Sequence, residues 1–369
     1  MKLSDMAETI TGFSSTEVIR TLIGSIIQGD RSGSQRWTAE LLCSEKGYPK
    51  LLSIYVFIGF RYFLPASYSW VPHIRQKIRL LEDRWRSSGA STRTFRNSTE
   101  VRSIVAEWTE IWCQQQQKPS PKLPTKKEVF AAAAQLKTNL KTNPTSTLHP
   151  SVQATWKAHY DADDLRILAN ELIWAIQYHQ MTRALLYFTW LWELDEERGK
   201  GGTVKLLRRG PEHIPDSNRE HIAWFIYSIF QHYAGYLGTK KTAVIETLEL
   251  WKETWLLLGK TQRRQCLGAI CAWLTEGTFP DSLLIKNPNQ IRQIVGETEA
   301  IYGIIKQEMD GHIEQKEQKE QKELASSTKV VDRFSMTKQQ KEKESLTKMD
   351  IVNKKLAAVM GIDFTDFED

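Results

Sequence analysis

The sequence predicts an all-α protein of two tandem five-to-six-helix bundles forming an internal repeat, and three observations predict it. Apolar side chains recur at three-to-four spacing, as in Val101, Ile104, Val105, Trp108, Ile111 and Trp112, which sets them on one helical face. Hydroxyl-then-carboxylate starts and Gly or Pro breaks punctuate these segments. The pattern also occurs twice. Leu22-Ile23-Gly24-Ser25-Ile26-Ile27-Gln28, continuing to Leu41, is echoed by Leu172-Ile173-Trp174-Ala175-Ile176-Gln177, continuing to Leu191, and residues 104–110 are echoed by 270–276. Two copies imply two similar bodies, because a solenoid needs three or more units.

The first bundle is expected over residues 1–117. Ser14-Ser15-Thr16-Glu17 is a helix start that satisfies orphan amides, Val18, Leu22 and Ile26 follow on one face, and Gly29 ends the helix. A second helix is expected over 33–46, with Trp37, Leu41 and Leu42 on a common face and Gly47-Tyr48-Pro49 as its stop. The third, 50–64, is almost wholly apolar; its length favours a central helix over a buried strand. A fourth spans 71–86, with Pro72 in its tolerant first turn. A loop, Ser87-Ser88-Gly89-Ala90-Ser91-Thr92, leads to a fifth over 99–117.

Residues 118–160 read as a Pro-rich linker carrying a short Ala-rich helix over 128–141. The second bundle is expected over 161–310. Asp161, Asp163 and Asp164 stand at a helix start, where the macrodipole favours carboxylates, and helices follow over 163–179 and 181–197. Ser217-Asn218-Arg219-Glu220 opens a very apolar helix through Trp224, Phe225, Ile226 and Phe230, the counterpart of 50–64. Helices over 242–258 and 262–275 come next, and Asn287-Pro288 opens a last one ending near Met309. Residues 311–345 are expected to form a charged low-complexity tether, as in Glu314-Gln315-Lys316-Glu317, either a lone solvated helix or disordered, which builds no core. Residues 346–369 end the chain with an amphipathic and acidic-aromatic motif. Its docking residues are expected to be Met349, Val352, Leu356, Val359, Ile362, Phe364 and Phe367, with folding back onto its own bundle as the competing reading.

Of 369 residues, 41% are hydrophobic and 25% charged, which fits a soluble globular protein with room for two domains. No apolar stretch spans a membrane, and Met1-Lys2-Leu3-Ser4-Asp5 lacks the pattern of a signal peptide. Cys43, Cys113, Cys266 and Cys271 show neither zinc-site spacing nor a need for disulfides, so a reducing intracellular setting is expected. Residues 1–150 hold 21 Lys/Arg against 12 Asp/Glu, and the remainder 29 against 32. Within the basic portion, Arg75, Lys77, Arg79, Arg84, Arg86, Arg93 and Arg96 are the candidate nucleic-acid contacts, since clustered cations release phosphate counterions. A solvated helix face is the competing reading. The 13 Trp, 13 Phe and 11 Tyr read as core residues; base stacking would need them exposed beside cations.

No constellation assembles into an active site. Gly235-Tyr236-Leu237-Gly238-Thr239-Lys240-Lys241-Thr242 has the wrong glycine-to-lysine spacing for a phosphate loop, and no strand precedes it. The histidines, His221 and His232 among them, lack metal-binding spacing. Asp161, Asp163, Asp164 and the run Glu193, Asp195, Glu196 and Glu197 have the chemistry to hold a divalent cation, but a helix start and a solvated helix end explain them more simply. No catalytic residue, metal, cofactor or small-molecule substrate is expected.

The helix order with Leu22-Ile23, Gln28-Gly29-Asp30, Ala39-Glu40-Leu41-Leu42, Gly47-Tyr48-Pro49 and Val101-Arg102-Ser103-Ile104-Val105-Ala106-Glu107 resembles the collar-type C-terminal domain of AAA+ clamp loaders. It is also similar to uncharacterised proteins of large nucleocytoplasmic DNA viruses. The resemblance covers 14–117 best and 162–276 more faintly. It implies an oligomerising, positioning role without ATP chemistry, because no Walker motif accompanies it. The expected function is therefore a non-enzymatic assembly or adaptor protein, viral by resemblance, that binds protein partners or itself. A nucleic-acid-binding accessory factor and a virion structural component are the alternatives.

Overall fold

The computed structural model describes residues 9–44, 47–89, 91–136, 147–198 and 206–327. Among them there is no strand. The helices run α1 (Ser15–Gln28), α2 (Arg31–Cys43), α3 (Gly47–Ile58), α4 (Trp70–Ser87), α5 (Thr92–Arg96), α6 (Thr99–Gln114), α7 (Lys126–Leu136) and α8 (Pro150–Thr155). They continue as α9 (Asp163–Gln177), α10 (Met181–Arg198), α11 (Asp216–Arg219), α12 (Ile222–Ala234), α13 (Lys241–Glu253), α14 (Lys260–Glu276) and α15 (Pro288–Ser327). The all-α class is as expected.

The chain forms two compact units, and neither is a single continuous segment. Among the described residues, those within 1–51, 81–114 and 285–327 form unit 1, and those within 52–80 and 115–284 form unit 2. The sequence reading expects consecutive bundles over 1–117 and 161–310; the packing assigns the last helix to the first unit and the apolar stretch 52–80 to the second. Side-chain chemistry far apart in sequence explains both assignments.

In unit 1, α1 and α2 pack side by side and α6 covers the pair. Ser14 caps α1 by accepting from the Glu17 amide at 3.2 Å, while Glu17 accepts from the Ser14 amide at 3.1 Å. Val18, Leu22, Ile23 and Ile26 are fully buried with Leu41, Trp108, Ile111 and Trp112. Each such side chain contributes roughly 1.5–3 kcal/mol by leaving water. α15 lies against α2 and α6. The Arg102 guanidinium meets Glu299 at 2.7 Å, Arg36 meets Glu308 at 2.8 Å, and Ile305 and Thr298 are buried. α15 runs past the expected stop at Met309 to Ser327, so the first part of the expected tether is helical.

In unit 2, α9 and α10 pack side by side and α14 covers them. α3 ends in a π-helical turn, Gly59–Phe63, closed by the Leu64 amide on the Gly59 carbonyl at 2.8 Å. Glycine is required there, because a Cβ would stand 2.7 Å from the Trp70 ring. The expected Pro-rich linker is a pinned strap at its start: the Lys118 amide donates to the Tyr62 carbonyl at 2.9 Å and the Ser120 amide to the Arg61 carbonyl at 2.7 Å. Trp224, Trp251 and Trp255 cluster with ring centroids 4.6 to 5.3 Å apart, a buried aromatic core.

The two three-helix sets share local chemistry. At the α1 end the Gly29 amide donates to Ile26 and the Asp30 amide to Ser25; at the α9 end the His179 amide donates to Ile176 and the Gln180 amide to Ala175. Gly29 and His179 both adopt the left-handed conformation, φ 69° and 56°. On the covering helices the Thr109 hydroxyl donates to the Val105 carbonyl at 2.8 Å, and the Thr275 hydroxyl to the Cys271 carbonyl at 2.7 Å.

Candidate functional site

The expected basic residues fall in both units. Arg75, Lys77 and Arg79 belong to unit 2, and Arg84, Arg86, Arg93 and Arg96 to unit 1. Arg75 Nε donates to Glu253 at 2.9 Å, which raises the Arg75 pKa mainly through that hydrogen bond, and Arg79 reaches the same carboxylate at 3.7 Å. Lys77 is buried at 8% exposure. Arg84 pairs with Glu100, and Arg86 lies 3.3 Å from Asp83 and 3.8 Å from Glu82. Arg75, Arg79, Arg84 and Arg86 are thus matched by carboxylates of their own unit, which weakens the field available to phosphates.

Arg93 and Arg96 stand elsewhere, on the wall of a groove in unit 1. The groove, about 530 Å³, runs between α5, the start of α6 and the α15 face that carries Tyr302 and Lys306. Ser91 starts α5 by accepting from the Thr94 amide, and Phe95 buries its other face, which turns Arg93 and Arg96 outward. The Arg96 guanidinium donates to the Cys43 carbonyl at the end of α2, where a cation suits the negative helix terminus. Arg102 is fixed by Glu299, by the Arg96 carbonyl at 2.9 Å and by Asn97 at 3.3 Å, and it lies 4.4 Å over the Tyr302 ring.

Four cations, Arg93, Arg96, Arg102 and Lys306, face one carboxylate, Glu299. Arg93 and Lys306 are exposed and have no ion-pair partner among the described residues. The floor is apolar: Tyr302 and Ile305 are 7% and 1% exposed, and Ile10 and Met309 also line the groove. Burial pushes the Cys43 thiol at the groove edge up to about 11, further raised by Glu40 and opposed by Arg102 and Arg96. Cys43 therefore stays a protonated thiol there and is a poor nucleophile. Sequence reasoning missed Arg102 and Lys306. Arg102 reads as an ordinary helix-face residue, and Lys306 comes from a helix assigned to the other bundle, so no local signal joins them.

The remaining candidates have structural roles. Asp161 lies before α9 rather than in its first turn: it is buried and forms an ion pair with Arg209, whose Nη1 is 2.9 Å from Asp161 Oδ1. Glu193 is buried at 2% exposure and takes Arg264 at 2.8 Å, so it is no solvated helix end. The capping box expected at Ser217 instead falls on the short helix α11, and His221 caps α12 by accepting from the Ala223 amide at 3.1 Å. No group of three or more His, Cys, Asp or Glu among the described residues is placed to hold a metal. No described helix is long and apolar enough to cross a membrane. Met349, Val352, Leu356, Val359, Ile362, Phe364 and Phe367 lie outside the described residues. No protein-family model, curated protein or solved structure matches this chain.

Proposed function

We propose that this chain is a non-enzymatic helical assembly or adaptor protein whose unit 1 groove binds an acidic, aromatic-bearing protein segment. The observation that carries this reading is the excess of Arg93, Arg96, Arg102 and Lys306 over Glu299 above an apolar floor. Arginine clusters suit carboxylates because the guanidinium fork binds them bidentately, and an apolar floor adds affinity for a ring that a bare charge patch lacks.

Gene duplication is part of the same reading. The left-handed turn at Gly29 and His179, its amide pairs and the threonine on each covering helix support a shared origin for the two three-helix sets. A duplicated body with one divergent groove fits a scaffold, as does the assembly role implied by the collar-type resemblance.

The test is fluorescence anisotropy with a labelled peptide of alternating Asp and Phe. The protein is the full chain with Asp363, Phe364, Asp366 and Phe367 changed to alanine, so that its own acidic segment does not compete. Binding should weaken about tenfold on adding Arg93→Glu and Lys306→Glu, and from 50 to 200 mM salt. No binding at low salt, or indifference to the charge reversals, overturns the reading. A DNA duplex bound more tightly than the peptide, with a steep salt slope, favours the nucleic-acid alternative.

A further inference from the structure

The sequence itself carries a segment with the chemistry this groove selects. Residues 362–369, Ile362-Asp363-Phe364-Thr365-Asp366-Phe367-Glu368-Asp369, combine four carboxylates with two phenylalanines. We propose that this acidic-aromatic segment occupies the unit 1 groove of its own chain, so that an external partner must displace it. This inference rests on the groove reading above.

Charge complementarity comes first. Arg93 and Lys306 are exposed cations without ion-pair partners among the described residues, and Asp363 and Asp366 supply carboxylates at three-residue spacing. Phe364 and Phe367 supply rings for the floor at Tyr302 and Ile305. Reach comes second. From Lys306 to Ser327, α15 carries the chain about 32 Å away from the groove. Residues 328–361 extend to at most about 110 Å, more than enough to return. Third, covalent linkage holds the segment at an effective concentration on the order of 1 mM, so the same chain outcompetes a second copy at micromolar protein.

The experiment compares the native full chain with the chain carrying Asp363→Ala, Phe364→Ala, Asp366→Ala and Phe367→Ala, using the labelled Asp/Phe peptide. The alanine chain should bind about tenfold more tightly, because a resident competitor has gone. In the native chain, a zero-length carbodiimide link should join Lys306 to Asp363, Asp366 or Glu368 within one monomer. Equal peptide affinity of the two chains, with binding intact, overturns this inference and leaves the groove reading standing; no binding by either removes both. A native mass of two or more copies by light scattering, reverting to a monomer in the alanine chain, places the segment on a second copy and overturns the same-chain assignment.

Discussion

Replacing Asp161 with alanine tests whether a buried ion pair, rather than a carboxylate serving a helix start, closes the second unit. The Asp161 side chain is fully buried and that of Arg209 is 8% exposed. Asp161 accepts from Arg209, from the Lys157 amide at 2.8 Å and from the Leu207 amide at 3.4 Å. Arg209 also donates to the Thr155 carbonyl at 3.0 Å and lies 5.1 Å over the Phe225 ring. Asp161→Ala therefore strands a guanidinium with one counter-charge removed and two amides without their acceptor. Such losses cost about 3–5 kcal/mol, and the surviving carbonyl bonds of Arg209 place this one near 3. That is a large part of the roughly 5–15 kcal/mol that holds a typical domain. Urea titration followed by far-ultraviolet circular dichroism gives the loss, and hydrogen exchange across α8, α9 and α12 locates it. Substituting both partners, Asp161→Leu with Arg209→Met, should recover most of the stability because no charge is left stranded. A loss below about 1 kcal/mol for Asp161→Ala would refute the reasoning.

Burial, with help from Arg263 and Lys260 and against Glu196, lowers the His221 pKa to about 4, and its Nε2 stands 3.7 Å from Asp195. The unfolded chain binds the proton that the folded chain refuses, so stability falls as pH drops from about 6.5 toward 4, by about 2 kcal/mol between pH 7 and pH 5. His221→Asn keeps the cap and should remove that part of the slope; urea midpoints that shift with pH as in the native chain would count against it. Gly29→Ala should cost about 1–2 kcal/mol through strain at φ 69°, since a Cβ meets only the Cys113 carbonyl at 3.5 Å. A thermal midpoint unchanged from the native chain would show that the turn relaxes. Ile226→Asp should cost several kcal/mol by burying an unpaired carboxylate at a fully buried position, and a normal unfolding transition would contradict the core assignment. Arg84→Glu with Arg86→Glu should leave acidic-peptide affinity unchanged, whereas Arg93→Glu alone should weaken it severalfold by anisotropy.

Local patterns in the sequence were sufficient for most helices. Ser14 and Glu17 cap α1, and Gly29 ends it, because those interactions span three or four residues and need no tertiary partner. Errors concentrate where partners are remote. The Ser217 box misses the start of α12 by several residues because the chain spends that turn on α11 and caps with a histidine. By composition the tether start reads as either a lone solvated helix or a disordered segment, and α15 continues through it as a helix to Ser327. Of the expected cations, only Arg93 and Arg96 face the groove; their companions Arg102 and Lys306 are more than 200 residues apart in sequence.

By itself, the sequence determined the helical class, the repeat-like echo and the apolar faces, because periodicity and capping are properties of neighbouring residues. Only the tertiary structure decided which helices share a core, which cations are neutralised and which meet across a groove. Ion pairs such as Arg102 with Glu299 and Asp161 with Arg209 join residues whose separation along the chain carries no signal of their proximity in space.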